Sequence, residues 1–262
     1  MGLVAAVALG CGGDGGSASA GGGGSGGAAN GGTTNHGGTT NHGGTTSGTT
    51  TSVTSTVEGC ADADREGKVT YYDFADGSGA CSFDPTPDDL MVGAMNAPDY
   101  LASAACGACA EIRTAEGKSV TVRIVDLCPE CQTGHIDLSP VAFEALGDLS
   151  LGVMPTTWHY VSCAVAGPIQ YKFKEGSNQW WTAVQIRRHA NRVAKLEYEK
   201  DGAWVEVART DYNYFVEDQG MGTGPYHFRV TDIFGQIVED QDIPFQEGGV
   251  IDGTGQFPAC AE

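Results

Sequence analysis

The sequence predicts a mainly β protein whose ordered part is a small barrel followed by a sandwich. Three observations lead there. From Cys60 to Ala166, short apolar runs such as VTYYDF, AEIRT, SVTVRIVDL and TTWHYVSCAV are separated by Gly, Pro and Asp clusters, which is the pattern of short strands joined by turns. The same pattern resumes after Gly167 with IQYKFKEGS, TAVQIRRH, VAKLEYEKDGAWVEVAR and YHFRVTDIFGQIVEDQDI, with turns spaced as in a compact sandwich. Helical signals are few: Ser139 reads as an N-cap, Pro140 as the first helical residue, and VAFEALG closes on Gly147.

The elements follow in order. The chain opens MGLVAAVALGCGG, an apolar run that reaches small residues and Cys11, as in a secretory leader with a lipoprotein cleavage site. It lacks the usual basic residues before the run and is short for a whole leader. Residues 1–11 are therefore expected to be a leader or the end of a longer one, with Cys11 as the lipidation site. No later segment has the apolar length to span a bilayer as a helix. Residues 12–59 collapse to Gly, Ser, Thr, Asn and Ala, with GGTTNH twice in tandem, and cannot bury enough apolar area to fold. His36 and His42 belong to that repeat and are given no site. Residues 60–166 form the expected barrel and 167–262 the sandwich. In the latter, KDGAW between two alternating runs is a two-residue hairpin signal, and Trp204 in AWVEV reads as a core residue.

Composition excludes several functions. The 33 acidic residues against 14 basic ones leave a net charge of -19, which disfavours nucleic acid, anionic membranes and polyanionic polymers and leaves a neutral polymer as the better partner. Eight cysteines follow Cys11, an even set in an exported chain, so disulfides are expected; the pairing is not readable from the spacing. The stretch VDLCPECQTGHIDLSP (125–140) leaves a second reading open. In it Cys128, Cys131 and His135 have the spacing of zinc ligands, with Asp137 either a fourth ligand or an acid.

The motifs TYYDF, ACGACAEI, VDLCPECQTGHIDLSPVAF and HYVSC resemble, in that order, the first domain of expansins. YKFKEGSNQWWTAVQIRRH, LEYEKDGAWVEVARTDYNYF and FRVTDIFGQIV resemble the carbohydrate-binding second domain of the bacterial members. The resemblance implies a six-stranded double-psi β-barrel, similar to that of family 45 glycoside hydrolases, followed by an immunoglobulin-like β-sandwich. It implies wall loosening on cellulose or another neutral β-glucan of the plant cell wall without net hydrolysis, with no cofactor and no metal. A secreted or surface-anchored monomer is expected.

The resemblance also assigns residues. Asp137 matches the acid, and Thr70, Tyr72, Asp126 and His135 match groove positions around it. The plain alternative for Asp137 is a capping role at the helix starting after Ser139. The hydrolases' base position falls on Phe74. Asp73 is one residue early, and strand alternation turns it away from Thr70 and Tyr72, so no base is expected opposite Asp137. Bacterial expansins carry a tyrosine where this chain has Cys128, which removes one groove ring. Trp180, Trp181 and Tyr212 match the aromatic platform and Lys174 a polar contact beside it. For two adjacent tryptophans to share one face, a bulge or strand start must lie between them. The family further implies the bridges Cys81–Cys106 and Cys109–Cys163, leaving Cys128–Cys131 and Cys60–Cys260. A hydrolase or lytic transglycosylase and a purely binding surface adhesin are the competing functions.

Overall fold

The computed structural model describes residues 62–73 and 75–260. The expected leader, Cys11, the linker with His36 and His42, Cys60 and Phe74 lie outside them. Six strands close a barrel: β1 (Arg65–Tyr71), β2 (Val92–Asn96), β3 (Cys109–Arg113), β4 (Ser119–Cys128), β5 (His135–Leu138) and β6 (Met154–Val161), in the order β1-β5-β2-β4-β3-β6. The pairs β1/β5 and β2/β4 are parallel and the others antiparallel, as in a double-psi barrel. Alternation decides which residues fill it. Val69 and Tyr71, Val120, Val122 and Ile124, and Ile136 and Leu138 point inward around Trp158 and Phe143. The intervening residues face outward.

The single turn α1 (Ala97–Tyr100) follows β2, and α2 (Pro140–Leu146) begins as its sequence suggests. Ser139 Oγ accepts from the Ala142 amide at 3.0 Å, and Pro140 sits in the first turn. The closing Gly147 is extended rather than left-handed, because the chain runs straight on against Met154 and the short helix Leu149–Leu151.

Eight further strands follow: β7 (Gln170–Phe173), β8 (Thr182–Arg187), β9 (Val193–Lys200), β10 (Ala203–Arg209), β11 (Phe215–Glu217), β12 (Tyr226–Asp232), β13 (Ile237–Ile243) and β14 (Val250–Asp252). They run β13-β12-β9-β10 and β11-β8-β7-β14, joined where β10 pairs with β11, so that two four-stranded layers fold on one another as a sandwich. Tyr171, Phe173, Tyr226 and Phe228 interleave between the layers; the Tyr171 and Phe228 rings stack at 4.9 Å. Asp201 and Gly202 make the two-residue hairpin, pairing Lys200 with Ala203.

Trp204 corrects the sequence reading. Its neighbours Val205 and Val207 take the core side, and Trp204 lies half-buried on the outer face, between the Arg229 guanidinium at 4.3 Å and the edge of His227 at 4.7 Å. A cation over an indole covers the ring without a hydrophobic core. Three bridges join cysteines that are both among the described residues: Cys81–Cys106, Cys109–Cys163 and Cys128–Cys131. Cys128 and Cys131 are thus bonded to each other, and no metal-ligating cluster occurs among the described residues. Cys260 is disulfide-bonded; its expected partner Cys60 lies outside the described residues.

Candidate functional site

The outer wall of four adjacent barrel strands carries the candidate residues in one row. Thr70 on β1 pairs with Asp137 on β5, Asp137 with Ala94 on β2, and Ala94 with Asp126 on β4. Cross-strand partners face the same side of a sheet, so Thr70, Asp137, Ala94 and Asp126 share one surface. With strands about 4.8 Å apart, the two aspartate Cα atoms stand roughly 10 Å from each other across Ala94.

Asp126 reaches this row through a bulge. Gly93 pairs with Ile124 but Ala94 with Asp126, which leaves Val125 as an extra residue on β4. Up to Ile124 the even-numbered residues point inward; after the bulge it is Leu127 that packs against the barrel core. Unbroken alternation would have driven Asp126 into that core.

Around the row, each side chain is held. Thr70 Oγ1 donates a short hydrogen bond to Asp137 Oδ1 and lies 2.8 Å from His135 Nε2. A hydroxyl has one proton, so if Asp137 receives it, His135 must donate from Nε2. The result is a relay from His135 through Thr70 to Asp137. Burial holds the His135 pKa below its ordinary value, with the Lys68 ammonium adding to the shift and Asp137 opposing it, so the ring is neutral at neutral pH. Capping of α2 is done by Ser139 alone, and Asp137 Oδ1 is engaged with Thr70.

Asp126 Oδ1 accepts from the Ala80 amide at 2.7 Å and the Leu127 amide at 2.8 Å. The loop bearing Ala80 lies directly on this carboxylate: a Cβ on Gly79 would come within 2.4 Å of Asp126 Cγ. Tyr72 follows β1, its amide bonded to Leu138 O, and its hydroxyl is buried with no hydrogen-bond partner among the described residues. Burial first, then the charges of Asp126, Asp137 and Asp76, raise its pKa. Asp73 lies past the end of β1 in a turn and is exposed, so strand alternation does not govern it.

On the sandwich, Trp180 and Trp181 precede β8. A bridge between Asn178 and Trp181 closes a turn over Gln179 and Trp180, and this irregularity is what separates the directions of the two rings. Trp180 is 72% exposed and Trp181 half-buried. Tyr212 is exposed beside Tyr214 at 5.9 Å, and Lys174 Nζ lies 5.6 Å from the Tyr214 ring.

Sequence reasoning missed the residues that join the two surfaces. The carbonyl of Cys81, next to Ala80, accepts from Gln185 Nε2 at 2.8 Å and Asn213 Nδ2 at 3.2 Å. Tyr100 donates to Asp211 O and Ser103 to Thr210 O. Consecutive contacts therefore run from Asp126 through Ala80 and Cys81 to Asn213 and the adjoining Tyr212. These partners are more than 100 residues apart in sequence, and no local motif announces them.

Comparison with known proteins places this architecture. Residues 92–158 match the family model described as lytic transglycolase. The chain is 38% identical over 202 residues to Expansin-YoaJ of Bacillus subtilis, covering 74% of this chain and 86% of that protein. The chain belongs to the expansin family. Expansin-like protein 5 of Dictyostelium discoideum is 32% identical over 182 residues, covering 65% of this chain and 75% of the relative. Among solved structures, the apo expansin of Clavibacter michiganensis superposes with a TM-score of 0.70 at 31% identity, covering 74% of this chain and 98% of that one. A mutant of the same expansin, solved in complex with cellohexaose, superposes with a TM-score of 0.69.

Proposed function

We propose that this expansin binds cellulose or a related neutral β-glucan of the plant cell wall and loosens contacts between chains without net cleavage. Export and action at or outside the cell surface belong to the same reading, with Cys11 as lipid anchor and the folded part acting as a monomer. Asp137, with Thr70, His135, Tyr72 and Asp126, would exchange hydrogen bonds with glucan hydroxyls. Trp180, Trp181 and Tyr212 would stack on the apolar faces of glucose units, with Lys174 as a polar contact. A neutral polymer needs no charge complement. The observation that carries this reading is the unequal state of the two carboxylates: Asp137 is bonded by a hydroxyl that glucan hydroxyls can replace, whereas Asp126 Oδ1 is occupied by two backbone amides. An inverting hydrolase needs a base free to activate water across the scissile bond.

A second reading rests on the register. Two carboxylates flanking Ala94 at roughly 10 Å between Cα atoms stand near the carboxyl separation of about 6.5 to 9.5 Å used for inversion, and the barrel matches a lytic transglycolase model. One experiment separates the two. Paper weakening and release of reducing or anhydro sugars are measured on the same sample for the unmodified chain, Asp137→Asn and Asp126→Asn. Weakening without sugar release, abolished in Asp137→Asn while cellulose binding persists, supports loosening. Sugar release in step with weakening, lost in Asp126→Asn, supports cleavage.

A further inference from the structure

Away from the groove, a cavity of about 390 Å³ opens between the barrel and the sandwich, and its chemistry differs from the rest of this acidic protein. Three arginines from two distant parts of the chain line it: Arg123 from β4, and the consecutive Arg187 and Arg188 at the end of β8 and just beyond. They are three of the 14 basic residues in a chain of net charge -19, and the one carboxylate that also lines the cavity, Asp84, lies at its exposed rim. The Phe83 ring lies under two of them, 5.6 Å from the Arg123 guanidinium and 5.8 Å from that of Arg187. Gly107, Cys163 and Val165 add an apolar wall, and Gln170 and Thr86 add polar edges.

Each guanidinium meets one carboxylate, but on the solvent side. Asp84, Asp89 and Asp252 have side chains 69%, 58% and 62% exposed, whereas those of Arg187, Arg123 and Arg188 are 13%, 23% and 36% exposed. Pairs of this kind are weak, since the exposed carboxylate is well solvated. An anion entering the cavity meets the more buried cations and competes with their exposed rim carboxylates. Arg188 also holds a left-handed backbone, φ +54°, with its carbonyl bonded to Gln256 Nε2 at 2.6 Å. A non-glycine residue held there is strained, and strain of this kind gathers at ligand sites.

We propose that this cavity binds a single hexuronate residue, presented as an end or side branch of an otherwise neutral glycan. Guanidinium groups match carboxylates in a bidentate fork. The apolar wall and polar edges suit a sugar ring, and the volume lies within the range of small-ligand pockets and far above what one inorganic anion fills. The net charge of -19 selects against a run of acidic sugars, because long-range repulsion grows with each added charge while the local attraction is spent on the first. The site lies beyond the groove and platform. It stands independently of whether the groove loosens or cleaves.

The test is titration of the full chain with D-glucuronate, D-galacturonate, D-glucose, methyl glucuronate ester and inorganic phosphate, followed by calorimetry. Saturable binding of a uronate is expected, with no binding of glucose or the uncharged ester. Arg123→Gln should weaken it at least about tenfold. Arg188→Gly should do the same while easing the left-handed backbone, so a folding defect does not obscure the result. Asp137→Asn should bind uronate as the unmodified chain does, so failure of the groove reading leaves this result unaffected. The proposal is overturned by uronate binding that fails to saturate, by equal binding of the ester, by phosphate binding as tightly as uronate, or by affinity insensitive to both arginine changes.

Discussion

Alanine at Gly220 would test whether the Trp180 ring is presented by a turn that has one shape. Gly220 has φ +73°, and a Cβ there would sit 2.1 Å from Gln179 O and 2.6 Å from the Trp180 carbonyl carbon. Both neighbours are backbone atoms of the Asn178–Trp181 turn, so neither can rotate away. The left-handed conformation costs an L-residue about 1 to 2 kcal/mol. Relief of the clash requires the turn to retreat by about 1 Å, since atoms this close lie deep in the repulsive wall. That retreat puts at risk the Gly222 amide bond to Gln179 O, now 3.2 Å, worth about 1 kcal/mol. The expected loss is about 2 to 3 kcal/mol of stability. Gly222 is the internal control: φ is +86° but nothing lies within 4 Å of its Cβ, so Gly222→Ala carries only the conformational cost. Denaturant unfolding and cellulose-binding isotherms on both variants make the measurement. Gly220→Ala should be the less stable and should bind cellulose several-fold more weakly than Gly222→Ala. Equal stability and equal binding in the two would refute the reasoning, because the turn would then be adaptable.

Other outcomes follow from the same structure. Trp180→Ala or Tyr212→Ala should lower cellulose affinity by about 1 to 2 kcal/mol, with little dependence on salt, as read from binding isotherms at two ionic strengths. His189 is fully buried, and burial lowers its pKa to about 4. Below about pH 6.5 the unfolded chain gains a proton that the folded chain refuses until about pH 4, so stability should fall through that window by on the order of 3 kcal/mol; thermal melts of His189→Gln should lack this slope. His227 has the opposite sign. Burial opposes its protonation, but bonds to Glu199 and Glu239 outweigh this and raise its pKa. Its contribution should be complete below about pH 6.5 and lost as pH rises through the raised value, so the melting difference from His227→Gln should shrink with rising pH. Replacing Cys109 and Cys163 together by alanine removes a link across 54 residues, and replacing Cys128 and Cys131 removes one across 3. Chain entropy puts the losses at about 4 and about 2 kcal/mol, measurable by denaturant unfolding.

Local signals in the sequence reach as far as local physics does. His135 and Asp137 alternate with Ile136 and Leu138, so their outward direction is readable from four residues. The cap at Ser139 and the hairpin at Asp201-Gly202 are likewise written within a few positions. Asp126 is different: its type and neighbourhood are visible, but its direction depends on a bulge that only the pairing with β2 reveals. Ala94 carries no chemical signal and matters only because two aspartates flank it. Trp204 was misread because alternation gives two faces without saying which is inner. Trp180 and Trp181 needed a turn between them, which the polar GSNQ preceding them hinted at, yet only the structure shows which of the two rings is exposed. Gln185 and Asn213 had no signal, since a carbonyl acceptor at Cys81 is invisible in any sequence window.

The bulge on β4 also bears on how this gene can change. Loss of the one codon for Val125 would turn the bulge into plain alternation and leave every residue that follows on its present face. Asp126 would still face the groove and Leu127 the barrel core; what would be lost is the packing of Val125 on Ala75 and Val92 and the bond from the Cys81 amide to its carbonyl. In the regular run Val120–Ile124 the loss of one residue would exchange faces and cost the groove and the core together, whereas at the bulge the same loss is absorbed. The bulge is therefore the one point of this strand at which the lineage can shorten the chain by a codon and keep both faces.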